Sequence, residues 1–260
     1  MDLGLANKRA LVTGASKGIG LAVAEALARE GCHVDLAARD GARLAEVAQA
    51  IRARHPVEVR TFPVDLASPH DQQMLAQSCG DDEILVNNAG SNPPGEIDDI
   101  DEDMWRASWE LKVFGYINMT REFYRRMKAR RSGVIVNVIG NSGERMNARY
   151  ILGSTGNIAL MGMTRALGGR SPDFGVRVVG VNPGLTNTER AERMLKGWSA
   201  NVHGTPERWQ EVMAGMDLPF GRMGEASEVA AVVAFLASER ASYVSGTIVT
   251  VDGGGTNRNG

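Results

Sequence analysis

The chain has 260 residues, of which 43% are hydrophobic and 23% are charged, and its formal net charge at pH 7 is −2. A chain of this length can bury a full hydrophobic core within a single domain. The nearly balanced charge gives no electrostatic reason to expect nucleic acid or a membrane surface as a partner.

The first predicted strand, residues 10–12, leads into a glycine-rich turn that opens a predicted helix. This turn reads Thr13-Gly14-Ala15-Ser16-Lys17-Gly18-Ile19-Gly20. Glycine is typical here because a side chain would keep the backbone away from a pyrophosphate and crowd the strand–helix turn. The N–H groups and partial positive charge at a helix start favour a phosphate. We interpret the turn as a dinucleotide-binding loop; the alternative is a tight turn that binds no ligand.

The rest of the chain alternates predicted strands with predicted helices. The further strands are predicted at residues 33–38, 57–64, 84–86, 133–139, 176–181 and 247–251. The further helices are predicted at residues 42–54, 71–78, 102–130, 149–167 and 225–237. This alternation indicates right-handed βαβ units and a parallel sheet with helices on both faces. We therefore predict one α/β domain that covers residues 1–260.

Cysteine and histidine usage predicts no metal site. Cys32 and Cys79 lack metal-ligand spacing, and the four histidines are scattered along the chain. No apolar run approaches the length of a membrane span, and the N-terminus lacks the apolar stretch of a signal peptide. Two cysteines in apolar segments fit a reducing compartment, so we predict a cytoplasmic protein.

Several motifs together resemble the short-chain dehydrogenase/reductase family over nearly the whole chain. They are the glycine-rich turn, Asp65, Asn87-Asn88-Ala89-Gly90, Asn182-Pro183-Gly184 and Gly246…Asp252-Gly253-Gly254. The resemblance implies a doubly wound Rossmann sheet of about seven strands, with the cofactor across the carboxyl ends of the strands. It also implies a small-molecule substrate, and a dimer or tetramer whose contacts involve helices 102–130 and 149–167 and the last strand.

The same resemblance implies the cofactor-binding residues. They are Gly14, Ser16, Lys17, Gly18, Ile19, Gly20, Arg39, Asp65, Leu66, Asn88, Ala89, Gly90, Pro183, Gly184, Thr186 and Thr188. Within this set, Asp65 would meet the adenine amino group and the backbone of residues 88–90 would line the ribose. Thr186 or Thr188 would meet the nicotinamide carboxamide.

The end of the second strand indicates which nicotinamide cofactor is bound. Enzymes that select NAD usually carry an acidic residue there, which binds the ribose 2′-OH and repels a 2′-phosphate. Here the strand ends at Arg39, the first carboxylate is Asp40, and Lys17 lies in the glycine loop. Two cations suit a phosphate, so we predict NADP(H) rather than NAD(H). The alternative is that Arg39 and Lys17 are solvated surface cations.

The catalytic positions depart from the family pattern. Counted from flanking residues, the serine, tyrosine and lysine positions of the family fall on Gly140, Gly153 and Asn157. The asparagine position falls on Lys112, and no Tyr-x3-Lys occurs anywhere in the chain. All four catalytic positions are therefore substituted.

Other residues could supply the missing chemistry. Tyr150 lies seven residues before Asn157, on the same face of the predicted helix, as in the enoyl-acyl-carrier-protein reductases that this stretch resembles. We predict Tyr150 as the proton donor, Lys112 as its electrostatic support and Asn157 as the residue that holds the ribose. Ser142 is a candidate donor to a carbonyl oxygen.

Structural roles are the alternatives for these residues. Tyr150 could simply pack at the helix start, and Ser142 could be a structural loop serine. Lys112 could extend to solvent or pair with Glu110 or Asp103.

A methionine-rich segment, residues 186–222, occupies the place of the family's substrate lid. Methionine and tryptophan suit an adaptable apolar pocket, but they equally suit plain packing of two helices. The roles of Glu144 and Arg145, as surface ion pair or substrate contact, stay open, and the substrate is not identifiable.

The sequence thus predicts an NADP(H)-dependent oxidoreductase with a non-standard catalytic centre. It would transfer hydride between the nicotinamide and a carbonyl/alcohol pair or a conjugated enoyl group. The alternative is a catalytically silent nucleotide-binding protein that acts as a sensor or a subunit.

Overall fold

Seven parallel strands form the central sheet of the computed structural model, which describes residues 1–258. Along the sheet the order is β3-β2-β1-β4-β5-β6-β9. These strands are β1 (Arg9–Thr13), β2 (His33–Ala38), β3 (Val59–Pro63), β4 (Ile84–Asn87), β5 (Gly133–Val138), β6 (Val176–Pro183) and β9 (Ile248–Val251). A separate two-stranded pair consists of β7 (Thr186–Asn187) and β8 (Gly224–Glu225).

Nine α-helices connect or follow these strands in the described part of the chain. They are α1 (Gly18–Arg29), α2 (Gly41–Arg54), α3 (Pro69–Ser78), α4 (Glu102–Trp109), α5 (Gly115–Arg130), α6 (Ile151–Arg170), α7 (Glu189–His203), α8 (Trp209–Ala214) and α9 (Ala226–Ala237). Among residues 1–258, none of the helices combines the length and apolar character needed to cross a bilayer.

The strand order confirms the predicted doubly wound α/β fold. From β1 the chain builds outward through β2 and β3, then returns to place β4 on the other side of β1. The carboxyl ends of β1 and β4 therefore border the crevice where such folds bind ligands. Apolar side chains of α1, α2 and α9 form the core on one face of the sheet, and those of α3 and α5 form it on the other.

The helix predicted over residues 102–130 is interrupted in the structure. A π-helical turn, Glu110–Phe114, separates α4 from α5 and contains Lys112. Such turns insert an extra residue into the helical ladder and are frequent at functional sites. Hydrophobic periodicity could not predict it, because a single turn of five residues is too short to show a period of its own.

The segment 186–222 folds into α7 and α8, where the sequence is only weakly periodic. Its two ends meet in the β7–β8 pair, with Thr186 opposite Gly224 and Asn187 opposite Glu225. This pairing fixes the start of α7 close to the carboxyl end of β6.

Candidate active site

The glycine-rich turn is packed too tightly for side chains. Gly14 and Gly18 have positive φ angles of +67° and +58°. A Cβ at position 20 would overlap the Gly14 carbonyl and lie 2.5 Å from Nδ2 of Asn88. Lys17, the N-cap residue of α1, provides no side-chain cap to this helix. The first N–H groups of α1 are therefore left for a ligand phosphate, which fits the pyrophosphate of a dinucleotide.

A single hydroxyl group fixes the end of β4 against this turn. Oγ1 of Thr13 accepts hydrogen bonds from the backbone N–H groups of Asn88 (2.8 Å) and Ala89 (3.0 Å). Nδ2 of Asn88 donates to the Thr13 carbonyl at 2.9 Å. The backbone of residues 88–90 is thereby held in one position beside the glycine loop, where the sequence predicts the ribose.

The predicted adenine residues follow β3. Oδ1 of Asp65 accepts from the Ala67 N–H at 3.0 Å, and the Leu66 carbonyl accepts from Nε2 of Gln72 at 2.7 Å. Leu66 is buried. These contacts fix both residues at the same edge of the sheet as the glycine loop.

The loop after β6 reaches back over the glycine turn. Pro183 is the last residue of β6, and the Thr186 hydroxyl donates to the Gly184 carbonyl at 3.0 Å. Thr188 caps α7 by accepting from the Ala191 N–H at 3.3 Å. A Cβ on Gly18 would lie 3.4 Å from Cγ2 of Thr188, so the two loops are in close approach.

Cations gather at the end of β2, including one that the sequence analysis did not single out. Arg39 is exposed, and Asp40 is engaged as the N-cap of α2. Nε of Arg43 donates to the Ser16 carbonyl at 3.0 Å, so its guanidinium lies against the glycine loop. Only the spacing after the N-cap residue Asp40, which places Arg43 in the first turn of α2, could have indicated this.

Tyr150 precedes α6 and is held by the loop after β4. The backbone of Gly95 bonds to both neighbours of Tyr150, accepting from Ile151 at 3.3 Å and donating to Arg149 at 2.9 Å. A Cβ at position 153 would overlap the Tyr150 ring. The ring therefore fills the space that a side chain at position 153 would enter.

The hydroxyl of Tyr150 has a cationic partner that sequence reasoning missed. Nη2 of Arg190, in the first turn of α7, donates to the Tyr150 Oη at 2.8 Å and to the Asn92 carbonyl at 3.2 Å. Nη1 of Arg190 donates to the Gly90 carbonyl at 3.4 Å. Segment 186–222 thus brings a guanidinium to the predicted proton donor, in a place where the sequence analysis expected Lys112.

Lys112 is buried, with only 7% of its surface exposed. Its Nζ donates to the Tyr116 Oη (2.9 Å), the Val138 carbonyl (3.0 Å) and the Ile139 carbonyl (3.1 Å). These three acceptors match the three protons of an ammonium group. The side chain neither extends to solvent nor forms the ion pairs considered from sequence with Glu110 or Asp103.

Burial shifts the proton affinity of both groups in this pair. Desolvation, and then the charge of Arg190, lowers the pKa of Lys112 to about 7. Desolvation raises the pKa of Tyr116, whose hydroxyl donates to the Val138 carbonyl at 2.8 Å. Lys112 and Tyr116 are four residues apart, a spacing visible in the sequence that was not recognised as a pair.

Asn157 and Ser142 lie together beneath Gly140. Nδ2 of Asn157 donates to the Ser142 Oγ at 2.8 Å and to the Gly140 carbonyl at 3.3 Å. Oδ1 of Asn157 is buried and has no hydrogen-bond partner among residues 1–258. A buried acceptor without a donor is costly, and a ribose hydroxyl would satisfy it.

Glu144 and Arg145 both bond to the C-terminal part of the domain. Oε2 of Glu144 accepts from the Thr250 hydroxyl at 3.0 Å, and Nη1 of Arg145 donates to the Gly255 carbonyl at 3.1 Å. Both residues therefore attach the loop after β5 to the C-terminal part of the domain.

A buried acidic cluster lies near the amino ends of β2 and β4, remote from the glycine loop. Asp35, Cys79 and Asp82 place their ligand atoms within 4.8 Å of one another. Asp35 is already paired with Arg9 and Arg60, and burial, then the charge of Asp35, raises the pKa of Asp82 to about 8. The arginines and a retained proton therefore neutralise the cluster without a metal.

A doubly wound sheet, a glycine-rich turn and an uncapped helix start at its switch point together define a nucleotide-binding α/β protein. A family model for short chain dehydrogenases matches residues 8–197. The chain belongs to this family.

Named relatives agree with this assignment. A galactitol 2-dehydrogenase (L-tagatose-forming) from Cereibacter sphaeroides is 35% identical over 252 residues, which are 95% of this chain and 94% of that protein. The NADPH-dependent reductase BacG from Bacillus subtilis is 29% identical, covering 96% of this chain and 98% of that protein. The crystal structure of L-sorbose reductase from Gluconobacter frateurii, complexed with NADPH and L-sorbose, superimposes with a TM-score of 0.92 at 32% identity over 100% of both chains. The chain is an oxidoreductase of the same family.

Proposed function

We propose that this chain is an NADP(H)-dependent oxidoreductase that works with a relocated proton donor. It would transfer hydride between the nicotinamide and a carbonyl/alcohol pair. The observation that carries the proposal is the position of Tyr150, whose ring fills the space beside Gly153 while its hydroxyl meets Arg190. A phenol next to a cation is the chemical arrangement that the family's missing tyrosine and lysine would have provided.

Charge at the end of β2 supports NADP(H) as the cofactor. Lys17 lies in the glycine loop, Arg43 bonds to that loop, and Arg39 is exposed directly after β2, while the carboxylate that follows it, Asp40, caps α2. Guanidinium groups bind phosphate through paired hydrogen bonds. Two of the relatives described above carry NADPH in their names, which agrees with this proposal.

The remaining cofactor contacts follow from the fixed loops of the site. Asp65 and Leu66 would hold the adenine, the backbone of residues 88–90 the adenosine ribose, and the unpartnered Oδ1 of Asn157 the nicotinamide ribose. Thr186 or Thr188 would meet the carboxamide. When bound, the cofactor supplies the hydride for reduction or accepts it for oxidation.

The protein's own part in the reaction is proton transfer. In the reducing direction Tyr150 gives its proton to the substrate oxygen, and the positive charge of Arg190 stabilises the phenolate that remains. Ser142 would donate a hydrogen bond that orients the carbonyl. We propose that residues 186–222 act as the substrate lid, because α7 delivers Arg190 only when its first turn contacts the loop after β4.

In this mechanism Lys112 holds the backbone that carries the candidate catalytic residues. Its bonds to the Val138 and Ile139 carbonyls fix the end of β5, which carries Gly140 and Ser142. Its charge also contributes to the field around the nicotinamide pocket. Lys112 is therefore a positioning residue in this proposal.

Two other functions remain candidates. The spacing of Tyr150 and Asn157, with Tyr150 preceding α6, favours a conjugated enoyl substrate as in the enoyl reductases. Glycine at positions 140 and 153 favours a silent nucleotide-binding protein, because both usual hydrogen-bond donors to a carbonyl oxygen are missing there.

A crystal structure with bound NADP and a substrate analogue tests the proposal, together with turnover of a ketose, a 3-oxoacyl thioester and an enoyl thioester. We expect the Tyr150 hydroxyl within about 3 Å of the reacting oxygen, or one water away, and faster turnover with NADPH than with NADH. Tyr150 turned outward, with NADP bound and no turnover, would establish the silent binder instead. Which thioester or sugar reacts separates carbonyl reduction from enoyl reduction.

We also propose that the chain is a dimer or tetramer through α4–α5, α6 and β9. Exposed apolar side chains on two of these elements, Phe114 before α5 and Ile158 on α6, support this arrangement. Light scattering at micromolar concentration measures the state, and a monomer contradicts it.

A further inference from the structure

The first turn of α7 is tied to the glycine loop by an acidic side chain. Glu189, the first residue of α7, places Oε2 3.4 Å from the Nζ of Lys17, and its Oε1 accepts from Nη2 of Arg43. Both cations belong to the set proposed above for the 2′-phosphate of NADP(H). The Glu189 carboxylate therefore already forms ion pairs with two of the three cations proposed to bind the 2′-phosphate.

The contact is constructed from both sides. The backbone N–H of Arg43 donates to the Asp40 carboxylate at 3.0 Å, and its Nε donates to the Ser16 carbonyl at 3.0 Å, so the guanidinium has a fixed orientation. On the other side, the Thr188 cap places Glu189 at the positive end of α7, where a carboxylate is favoured. Hydrogen bonding to Arg43 holds the pKa of Glu189 below its usual range, so the carboxylate is charged near neutral pH.

We infer that Glu189 competes with the cofactor's 2′-phosphate for Lys17 and Arg43. Binding of NADP(H) would replace the carboxylate with the phosphate and release the first turn of α7 from the glycine loop. Binding of NAD(H), which has no 2′-phosphate, would leave the Glu189 contacts intact. The inference rests on the proposed preference for NADP(H) and adds Arg43 as a residue that determines this preference.

The size of the effect follows from exposure. The side chains of Lys17, Arg43 and Glu189 are 42%, 41% and 48% exposed, so each ion pair is weak. Because the phosphate forms new contacts with the same cations and with Arg39, displacement reduces the affinity for NADP(H) without preventing binding. Removing the competitor should tighten binding by about three- to tenfold.

The first test compares two charge-removing variants on the same helix. Glu189→Gln should lower the Kd for NADPH about three- to tenfold and leave the Kd for NADH within twofold. Glu192→Gln removes an equal charge from the first turn of α7 but breaks only an exposed pair with Lys196, so both Kd values should stay unchanged. Arg43→Met should weaken NADPH binding and not NADH binding. Cofactor fluorescence on binding measures all these constants without turnover.

The outcomes separate this inference from the function on which it rests. If the unmodified protein binds NADPH no more tightly than NADH, the proposed NADP(H) preference is wrong. If NADPH is preferred but Glu189→Gln changes the affinities for both cofactors equally, competition is wrong and the preference stands. If Glu192→Gln lowers the Kd for NADPH as much as Glu189→Gln does, the effect comes from the loss of any negative charge on α7, and the inference is wrong.

The second test detects release of α7 directly. Adenosine 2′,5′-bisphosphate carries the phosphate in question without the nicotinamide half, and 5′-AMP is its matched control. We expect the bisphosphate, and not 5′-AMP, to accelerate amide hydrogen exchange in residues 189–196. The difference should vanish in Glu189→Gln. Exchange that is equal with the two nucleotides would overturn the inference.

Discussion

The cofactor side and the catalytic side of the crevice tolerate change very differently. In the glycine loop, an added Cβ at position 14 or 20 would meet the backbone of Ala89 or Gly14 and the clamped amide of Asn88. On the proposed catalytic side, the nearest atoms to an added Cβ belong to side chains, the amide of Asn157 for position 140 and the ring of Tyr150 for position 153, although the φ of +135° at Gly140 also disfavours a side chain there. The tightly packed backbone of the two loops cannot shift without disturbing the residues around it, whereas an obstructing side chain can adopt another rotamer.

This difference fits the sequence-based prediction that the glycine loop follows the family pattern while the catalytic positions depart from it. Binding built from main-chain groups depends on the close approach of two loops, so few residues fit there. Catalysis built from side chains depends on placing one group, and that group can come from another position. Tyr150, which precedes α6, meets Arg190 from α7, and Lys112 bonds from the π-helical turn to the end of β5.

The largest expected effect is that of Gly20→Ala, which probes the rigid half. The new Cβ would overlap the Gly14 carbonyl and press on Asn88, so the loop must shift. We expect about 3 kcal/mol lower free energy of unfolding and loss of NADPH binding, because overpacking at a site that cannot relax carries that cost. Urea unfolding and cofactor fluorescence measure the two effects.

Gly169→Ala, near the end of α6, is the control for that substitution. A Cβ at this position would meet nothing within 4 Å, so the helix should gain up to about 1 kcal/mol. Equal destabilisation by the two substitutions would show that the glycine loop is no more constrained than a helix surface.

Tyr150→Phe should produce the next largest effect, in the adaptable half. Loss of the phenol removes the proposed proton donor, and we expect kcat to fall about 100- to 1,000-fold with little change in NADPH affinity. Tyr116→Phe is the matched control, since this buried phenol bonds to Lys112 and the Val138 carbonyl and should affect stability more than turnover. The reverse ranking of the two variants in kcat would show that the proton comes from the Lys112–Tyr116 pair.

Gly153→Ala tests whether the Tyr150 ring depends on the missing side chain. The added Cβ overlaps the ring, which can swing away, so activity should fall about tenfold or more while stability changes by less than about 1 kcal/mol. Steady-state kinetics and thermal unfolding give the two numbers. Full activity in this variant would mean that the ring position is irrelevant to turnover.

Lys112→Met should have the smallest effect at neutral pH, and its signature is pH dependence. Burial lowers the pKa of Lys112 to about 7, whereas an unfolded lysine titrates near 10.4, so between these values the folded protein binds fewer protons than the unfolded chain. The stability contributed by this group therefore rises with pH from about 7 to about 10. The unmodified protein should gain stability relative to Lys112→Met across that window.

Turnover of the same variant completes the test. We expect kcat to fall less than tenfold, with a weaker pH dependence near 7 than in the unmodified protein. If turnover stays unchanged at every pH, Lys112 has no role in the catalytic field and serves only the fold.

The local sequence alone determined the sheet, its order of strands and helices, and the glycine loop. Buried strands are short apolar runs, and the turn between β1 and α1 needs glycines within seven residues of one another, so these features can be read from neighbouring positions. The π-helical turn and the two-residue strands β7 and β8 escaped prediction, because each has too few residues to show a periodic pattern.

Tertiary structure alone decided which side chains meet in the crevice. Tyr150 and Arg190 are 40 residues apart, and Arg43 and Glu189 are 146 residues apart. The sequence around one residue of such a pair does not indicate its partner. Each pair forms only because α7 folds back over the carboxyl edge of the sheet. The sequence shows which residue types are present at these positions. Which of them contact one another depends on how α7 and the π-helical turn pack against the same strand ends.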